Sequence, residues 1–177
     1  MPGPRPLRRR PLDLLFIAFF LVNLVFVTYI VDIEQIVIAD PRNFTQPAWP
    51  PAFFVDMVHR FGDAHDPLLM ARPAFWQMTI WIDVIAFGPF YAFAIYAFIR
   101  GRNWIRVPAL VWSGTMLANV LIILMEERFG QWAAPDFWFV LGVNAPWLLL
   151  PIATIVRMLR EPFPAQVAMP AEMAVPA

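Results

Sequence analysis

The chain has 177 residues, of which 60% are hydrophobic and 16% aromatic. A soluble domain is usually about 45–50% apolar, so this composition is typical of a membrane protein. The absence of cysteine excludes a disulfide framework and a thiolate metal site. The 13 basic residues, all arginine, balance 13 acidic ones, so the net charge gives no indication of nucleic-acid binding. No nucleic-acid partner, metal or cofactor is expected.

Four segments are long and apolar enough to cross a hydrocarbon core of about 30 Å, which takes about 20 residues. The first follows "RPLRRR" but is too long for a signal peptide and lacks a close small-residue cleavage site, so we interpret it as a retained anchor. The composition therefore predicts an all-α fold, a bundle of four transmembrane helices. The predicted spans cover roughly residues 12–31, 75–99, 107–125 and 137–159.

The arginines predict which way the bundle faces. When the four spans alternate, nine arginines fall on one side and four on the other, together with most of the acidic residues. Because cytoplasmic loops are rich in arginine and lysine, both termini are predicted to be cytoplasmic. The predicted organisation is a basic N-terminus at 1–11, a membrane domain at 12–163 and a flexible, Pro/Ala-rich tail at 164–177. Apolar residues at helical spacing over 53–61 predict a short interfacial helix in the long outer loop.

The stretch "WIDVIAFGP", residues 81–89, places Asp83 among apolar residues of the second span. An aspartate near mid-helix costs roughly 2.5–3.5 kcal/mol on insertion scales, which makes it a functional candidate by default. At a rise of about 1.5 Å per residue, Asn119 on the third span and Asn144 on the fourth lie at a similar depth. These polar groups predict a shared site in the outer half of the bundle.

Helical phase refines this prediction, because residues three, four or seven apart share a face. Asn144 and Trp147 share a face of the fourth span, and Thr28 and Asp32 share one at the outer end of the first. Asn23 is nine residues from Asp32, half a turn out of phase in a continuous helix, so it is left outside the site.

The polar residues and the prolines of the spans each allow a structural as well as a functional interpretation. Asparagine and threonine in membrane helices more often hold helices together than bind ligands. Glu126 and Asp32 lie near the membrane interface, where a solvated position is an equal alternative. Prolines inside the second and fourth spans remove backbone donors and tend to kink helices, which either opens a cavity or is tolerated by packing.

Asp83 and Asp32 define the expected chemistry. If their carboxyl groups are adjacent, they share a proton and titrate as a coupled pair. Beside a tryptophan such as Trp147 or Trp112, the pair suits an amphiphilic cation or a cation-like transition state, because an indole face attracts cations.

Several stretches resemble the EXPERA-domain membrane proteins, the family that contains the emopamil-binding sterol isomerase and the sigma-2 receptor. They are "DPLL" at 66–69, "NWIRVPA" at 103–109 and "NAPWLLLPIATIVRMLREPF" at 144–163, and they are most similar to the receptor branch. The resemblance implies a four-helix bundle with a cavity in the outer, lumenal half that opens sideways to lipid. It also implies binding of sterols and cationic amphiphilic drugs in that cavity.

The receptor branch implies an amine site formed by two acids, which match Asp32 and Asp83. The second match is aspartate in place of glutamate, so its carboxylate reaches less far. Asp66 matches an acid that the resemblance implies to be structural.

The isomerase branch implies a different set of residues. Its acid after the third span resembles Glu126 in "LMEERFG", and its N-x-x-W spacing resembles Asn144 and Trp147. No histidine lies in any predicted span, so an Asp83/Glu126 pair would have to do the acid–base work.

Three hypotheses follow. The first is binding of a sterol-like or cationic amphiphilic ligand, the second is a sterol or isoprenoid double-bond isomerase with Asp83 and Glu126 as candidate catalytic residues, and the third is a membrane scaffold. The expected partners are a lipophilic small molecule and membrane lipid; family members often pair as homodimers, although no GxxxG-like face supports one here. The expected membrane is the endoplasmic reticulum in a eukaryote or the cytoplasmic membrane in a bacterium. The predicted ligand-binding residues are Asp32, Asp83, Asn119, Glu126, Asn144 and Trp147.

Overall fold

A computed structural model of the chain describes residues 6–164, and within that range the secondary structure is helical with no strand. The described part contains four helices that are long and apolar enough to cross a membrane, which confirms the all-α prediction and fits a multi-pass integral membrane protein. Most of the predicted tail, residues 165–177, lies outside the described residues. The four spans are Pro11–Val37, Ala74–Arg100, Asn103–Phe129 and Phe137–Met158.

The first span continues beyond its predicted end at residue 31 to Val37. Its middle, Asn23–Asp32, is π-helical and leads into a last α-helical turn. Asp32 and Glu34 belong to this helix and are buried, so the solvated alternative that was considered for Asp32 does not hold.

The second span also contains a π-helical turn, Asp83–Phe87, just before Pro89. Proline has no amide hydrogen, so the regular hydrogen-bond ladder is interrupted at this point. The span ends at Gly101, whose φ of 62° is a left-handed conformation that glycine adopts at little cost. The Arg102 amide then bonds back to the carbonyl of Ala97 at 2.8 Å.

The connection between the first two spans forms a cap over one end of the bundle, here called the loop end. It contains a helix at Ala52–His65, here called the loop helix, and a short helix at Pro67–Ala71. The loop helix confirms the short helix that was predicted at 53–61 and extends it in both directions.

The opposite end of the bundle, where the first span begins and the fourth span ends, is here called the terminus-bearing end. It is closed by a charged cluster around Asp13. Arg10 and Arg157 pair with this buried carboxylate at 3.0 and 3.3 Å. Both guanidinium groups also lie over the ring of Phe163, 5.3 and 5.5 Å from its centroid. These contacts join the start of the first span to the end of the fourth.

Two apolar clusters hold the spans together. In the half near the termini, Phe20 is fully buried against the rings of Tyr91, Phe98 and Trp112, with centroids 6.1, 5.7 and 5.4 Å away. The cluster at the loop end joins the second span to the cap and consists of Val58, Leu68, Leu69, Trp76 and Ile80. A cavity lies between the two clusters and is lined by members of both.

Candidate functional site

The cavity has a volume of about 370 Å³ and is enclosed by the four spans and the loop helix. Its wall is mainly aliphatic and aromatic, which suits a lipophilic occupant. The lining residues that are most exposed are Phe26 on the first span and Val143 on the fourth, at 36% and 39%. The cavity lining is therefore most accessible on the first and fourth spans.

Asp32 and Asp83 lie side by side in the cavity wall, with their carboxyl groups within hydrogen-bonding reach. Asp83 accepts hydrogen bonds from the Thr28 hydroxyl at 2.6 Å and the Tyr91 hydroxyl at 3.2 Å. Asp32 has one carboxyl oxygen, Oδ2, that is buried and has no partner within residues 6–164. Two carboxyl groups in contact in apolar surroundings strongly disfavour simultaneous ionisation, because neither charge is solvated and the two repel each other.

The two π-helical segments position this pair. Asp32 is the last residue of the first segment, and Asp83 is the first residue of the second. Turns of this π-helical kind are rare in proteins, and those that do occur often lie at functional sites. Gly88 allows the two spans to approach here, because a Cβ at this position would lie 3.0 Å from the Thr28 methyl carbon.

Trp147 is held in the cavity wall by a residue that sequence reasoning excluded. Its indole nitrogen donates a 2.7 Å hydrogen bond to Asn23 Oδ1, and Asn23 in turn donates to the backbone carbonyl of Phe19 at 2.8 Å. Asn23 was excluded on the phase of a continuous α-helix, which does not apply in a π-helical segment. Asn23 itself does not line the cavity, as predicted, but its side chain orients Trp147, which does.

Asn119 and Asn144 supply the amide groups of the cavity wall. The Asn144 amide nitrogen donates to the Val140 carbonyl at 3.0 Å, a bond within its own helix that fixes the side chain. Within the described range, the side chain of Asn119 makes no hydrogen bond. Both side chains therefore have acceptor or donor capacity left for an occupant.

A buried polar network lies behind Trp76 at the loop end of the bundle, and sequence reasoning missed it. Arg72 donates to the Glu34 carboxylate at 2.7 and 3.0 Å, and His59 on the loop helix contacts the same carboxylate at 2.7 Å. Gln35 links Glu34 to Trp76, which lines the cavity, through bonds of 2.6 and 3.0 Å. The network fixes the cap, and one wall of the cavity, to the first span.

Arg72 itself has a left-handed backbone with a φ of 50°, which is uncommon for a long side chain. Its guanidinium group compensates by binding the carbonyls of Ile38 and Leu69 in addition to Glu34. Arg72 and Glu34 are 38 positions apart in the sequence, so no local pattern predicts their ion pair.

A sequence model of the EXPERA family (EXPanded EBP superfamily) matches residues 53–158. The chain belongs to this family. Sigma intracellular receptor 2 of Xenopus tropicalis is similar at 27% identity over 164 residues, which cover 86% of this chain and 91% of that receptor. Sigma intracellular receptor 2 of Homo sapiens is 26% identical over 172 residues, covering 89% and 93% of the two chains.

Within this EXPERA chain, Glu126 does not lie in the cavity wall, contrary to expectation. Its carboxylate turns to the loop after the third span, where it accepts the Trp132 amide at 3.2 Å. The inward residue is its neighbour Glu127, which is 1% exposed and lies close to Asp66. Neither carboxyl oxygen of Glu127 has a partner within the described residues. Adjacent residues point about 100° apart on an α-helix, so an error of one position selects the wrong acid.

Asp66 lines the cavity and also caps the short helix Pro67–Ala71, where it accepts the Leu69 amide at 3.0 Å. Burial raises the pKa of this carboxyl group above its ordinary value, and the amides of Leu68 and Leu69 only partly offset the effect. Capping is a structural role, and a structural role is what the family resemblance implied for this position.

Proposed function

We propose that this EXPERA protein binds a sterol-like or cationic amphiphilic ligand in the cavity, with Asp32 and Asp83 recognising the charge. One observation carries the proposal: two buried acids, Asp32 and Asp83, lie side by side in a largely apolar cavity between the spans, whereas the third acid of the lining, Asp66, caps a helix. A buried carboxylate is unfavourable unless it is paired, so an occupant that brings a positive charge would be stabilised beside these two acids.

The hydrogen bonds around the pair support a division of roles. Asp83 already accepts two hydroxyl donors, which stabilise its ionised form, whereas Asp32 has a buried oxygen without a partner among residues 6–164. The shared proton therefore resides on Asp32, and the pair carries one negative charge centred on Asp83. One ammonium group is enough to neutralise it.

Aromatic side chains supply the second element of cation recognition. The Trp147 nitrogen is tied to Asn23, which fixes the indole plane in the cavity wall. A fixed indole face attracts a cation by about 2 kcal/mol when the site is desolvated. The rings of Phe26, Phe61 and Trp76 extend the apolar wall for the hydrophobic body of the ligand.

The exposed part of the cavity lining suggests a route for such a ligand. A lipophilic molecule partitions into the bilayer first, and we propose that it enters near Phe26 and Val143, the most exposed residues of the lining. The two relatives carry the name of an intracellular receptor, in keeping with a ligand-binding role. The membrane we propose is the endoplasmic reticulum in a eukaryote or the cytoplasmic membrane in a bacterium.

The second candidate is a double-bond isomerase that uses the same cavity. The acid pair holds one transferable proton beside an indole that could stabilise a carbocation, and this observation favours the idea. A carboxyl group would donate its proton to one carbon of the double bond, and a carboxylate would remove a proton from the carbon next to the cation. The proton balance is zero, and the double bond moves by one position.

The third candidate is a membrane scaffold. It differs from the ligand-binding protein and from the isomerase in the expected effect of mutating the acid pair. It predicts that replacing Asp83 changes stability but affects no ligand selectively. Turnover of a Δ8-sterol by purified protein separates the isomerase from the binding protein, since only the isomerase converts it.

The test is thermal unfolding of purified protein with and without a cationic amphiphile. A ligand at 100 times its dissociation constant stabilises by about 2.7 kcal/mol, which is a readily measured shift. We expect that shift in wild type and in the control Asp63→Asn, which alters an exposed ion pair with Arg42 on the cap, and its loss in the double variant Asp32→Asn/Asp83→Asn. An equal shift in all three proteins would exclude the acid pair as the cation site.

A further inference from the structure

A second surface feature lies far from the cavity, at the terminus-bearing end of the second and third spans. A shallow groove there is lined by Ala92, Phe93 and Tyr96 on the second span and by Trp104 after the turn. Phe93, Tyr96 and Trp104 are 60%, 50% and 50% exposed, and the rings of Phe93 and Trp104 meet edge to face at 6.4 Å. Nothing in the mechanism proposed for the cavity uses this groove.

Two arginines stand at the end of the groove. Arg100 is four residues after Tyr96 and seven after Phe93, so the three share one face of the helix. Arg102 lies on the turn that leads to Trp104, and both arginines are exposed. Long arginine side chains at a helix end extend toward the headgroup region while their stems cover apolar surface.

The guanidinium groups of Arg100 and Arg102 have no partner in the part of the chain that the structure describes. Within residues 6–164, neither side chain forms a hydrogen bond or an ion pair. No acidic residue occurs in the sequence between Asp83 and Glu126 that could neutralise them locally. Arg106, one turn further on, differs, because it binds the carbonyls of Met158 and Leu159 at 2.7 and 3.1 Å.

The turn that carries Arg102 is fixed on both sides. Gly101 adopts its left-handed conformation and the Arg102 amide bonds to Ala97. Asn103 then binds both the amide and the carbonyl of Phe163, at 2.9 and 3.3 Å. The distance between the two arginines and the aromatic groove is therefore set by the fold before any ligand arrives.

We infer that this surface is a binding site for one anionic phospholipid. Its acyl chain lies along Phe93, Tyr96 and Trp104, and its phosphate lies between Arg100 and Arg102. Basic residues at the membrane surface attract anionic lipid by about 1 kcal/mol each, and guanidinium groups match phosphate geometry. Aromatic rings at the interface position the chain below the headgroup. The site is independent of the function proposed for the cavity.

The test is native mass spectrometry of the full-length protein in detergent, titrated with phosphatidylglycerol or with phosphatidylcholine of the same acyl chains. Wild type should prefer phosphatidylglycerol, and Arg100→Gln/Arg102→Gln should reduce that preference by about five-fold for each arginine removed. The control Arg8→Gln/Arg9→Gln removes two exposed arginines from the first-span end of the same surface and should keep the preference.

A second variant tests the groove. Phe93→Ala/Trp104→Ala keeps both arginines, so it should weaken the binding of both lipids and leave their ratio unchanged. The inference is overturned if wild type shows no preference, if both arginine variants lose it equally, or if the groove variant binds as wild type does. Circular dichroism on every variant separates loss of the site from loss of the fold.

Discussion

The hydroxyl group of Thr28 on the first span donates a 2.6 Å hydrogen bond to the carboxylate of Asp83 on the second. Both residues lie in π-helical segments, and both are buried. The bond therefore joins the two irregular segments of the bundle at the point where the cavity carries its charge. Its removal should affect both the stability of the fold and the recognition of a cation.

Thr28→Val keeps the shape of the side chain and removes only the donor. Loss of a hydrogen bond to a charged group should lower the free energy of unfolding by about 1.5–3 kcal/mol and weaken binding of a cationic amphiphile. Thr115→Val is the matched control, because Thr115 bonds only to the Val111 carbonyl of its own helix, at 3.0 Å. Thermal unfolding with and without ligand measures both effects, and equal behaviour of the two variants would contradict the assignment.

The two aspartates should respond differently to replacement by asparagine. Asp32→Asn imitates a protonated Asp32 and leaves the charge on Asp83, so affinity for an amine should change by no more than a few-fold. Asp83→Asn removes the carboxylate that Thr28 and Tyr91 stabilise, and should weaken amine binding by roughly 30-fold or more, since breaking a buried charge contact costs about 2–5 kcal/mol. Direct binding measurements check the order, and a larger loss for Asp32→Asn would reverse the proposed roles.

Gly88→Ala should destabilise the protein by about 1–3 kcal/mol, because the added Cβ would lie 3.0 Å from a Thr28 methyl group that its bond to Asp83 holds in place. Gly114→Ala and Gly142→Ala provide the contrast. A Cβ at either position meets no atom within 4 Å, so helix propensity should make these changes neutral or stabilising by up to about 1 kcal/mol. Destabilisation of all three alike would show that contact with Thr28 is not the cause.

Asp66 gives a prediction about pH. Burial raises its pKa in the folded protein, so the folded state binds this proton more tightly than the unfolded state. Asp66 therefore contributes most to the free energy of unfolding below the ordinary aspartate pKa of about 3.9. This contribution declines as the pH rises through the raised pKa of the folded protein. Asp66→Asn keeps a capping oxygen for Leu69 and should remove this decline, whereas Asp66→Ala also loses the cap, at about 1 kcal/mol. Unfolding of the three proteins over a pH series tests the sign.

The sequence was sufficient for the architecture and for part of the site. Apolar length identified the four spans, and depth along the helices indicated that Asp83, Asn119 and Asn144 would meet, as they do in the cavity wall. These inferences succeed because span length and helical rise depend on few details of the fold.

The remainder depends on helical phase and on distant contacts. The π-helical turns shift every later side chain around the axis, so the phase of a continuous α-helix did not predict that Asn23 would bind Trp147. At the end of the third span the buried acid is Glu127 and not the predicted Glu126, because adjacent residues point in different directions on a helix. The Glu34–Arg72 pair joins a span to a loop through tertiary folding alone, and no local pattern encodes it.

The most direct measurement compares an amine ligand with its neutral carbon isostere, in wild type and in Asp32→Asn/Asp83→Asn. Wild type should bind the amine at least about 30-fold more tightly than the isostere, because only the amine neutralises the buried pair. The double variant should bind the two with similar affinity. Equal affinity for amine and isostere in wild type, or a preference for the amine that survives in the double variant, would contradict charge recognition by Asp32 and Asp83.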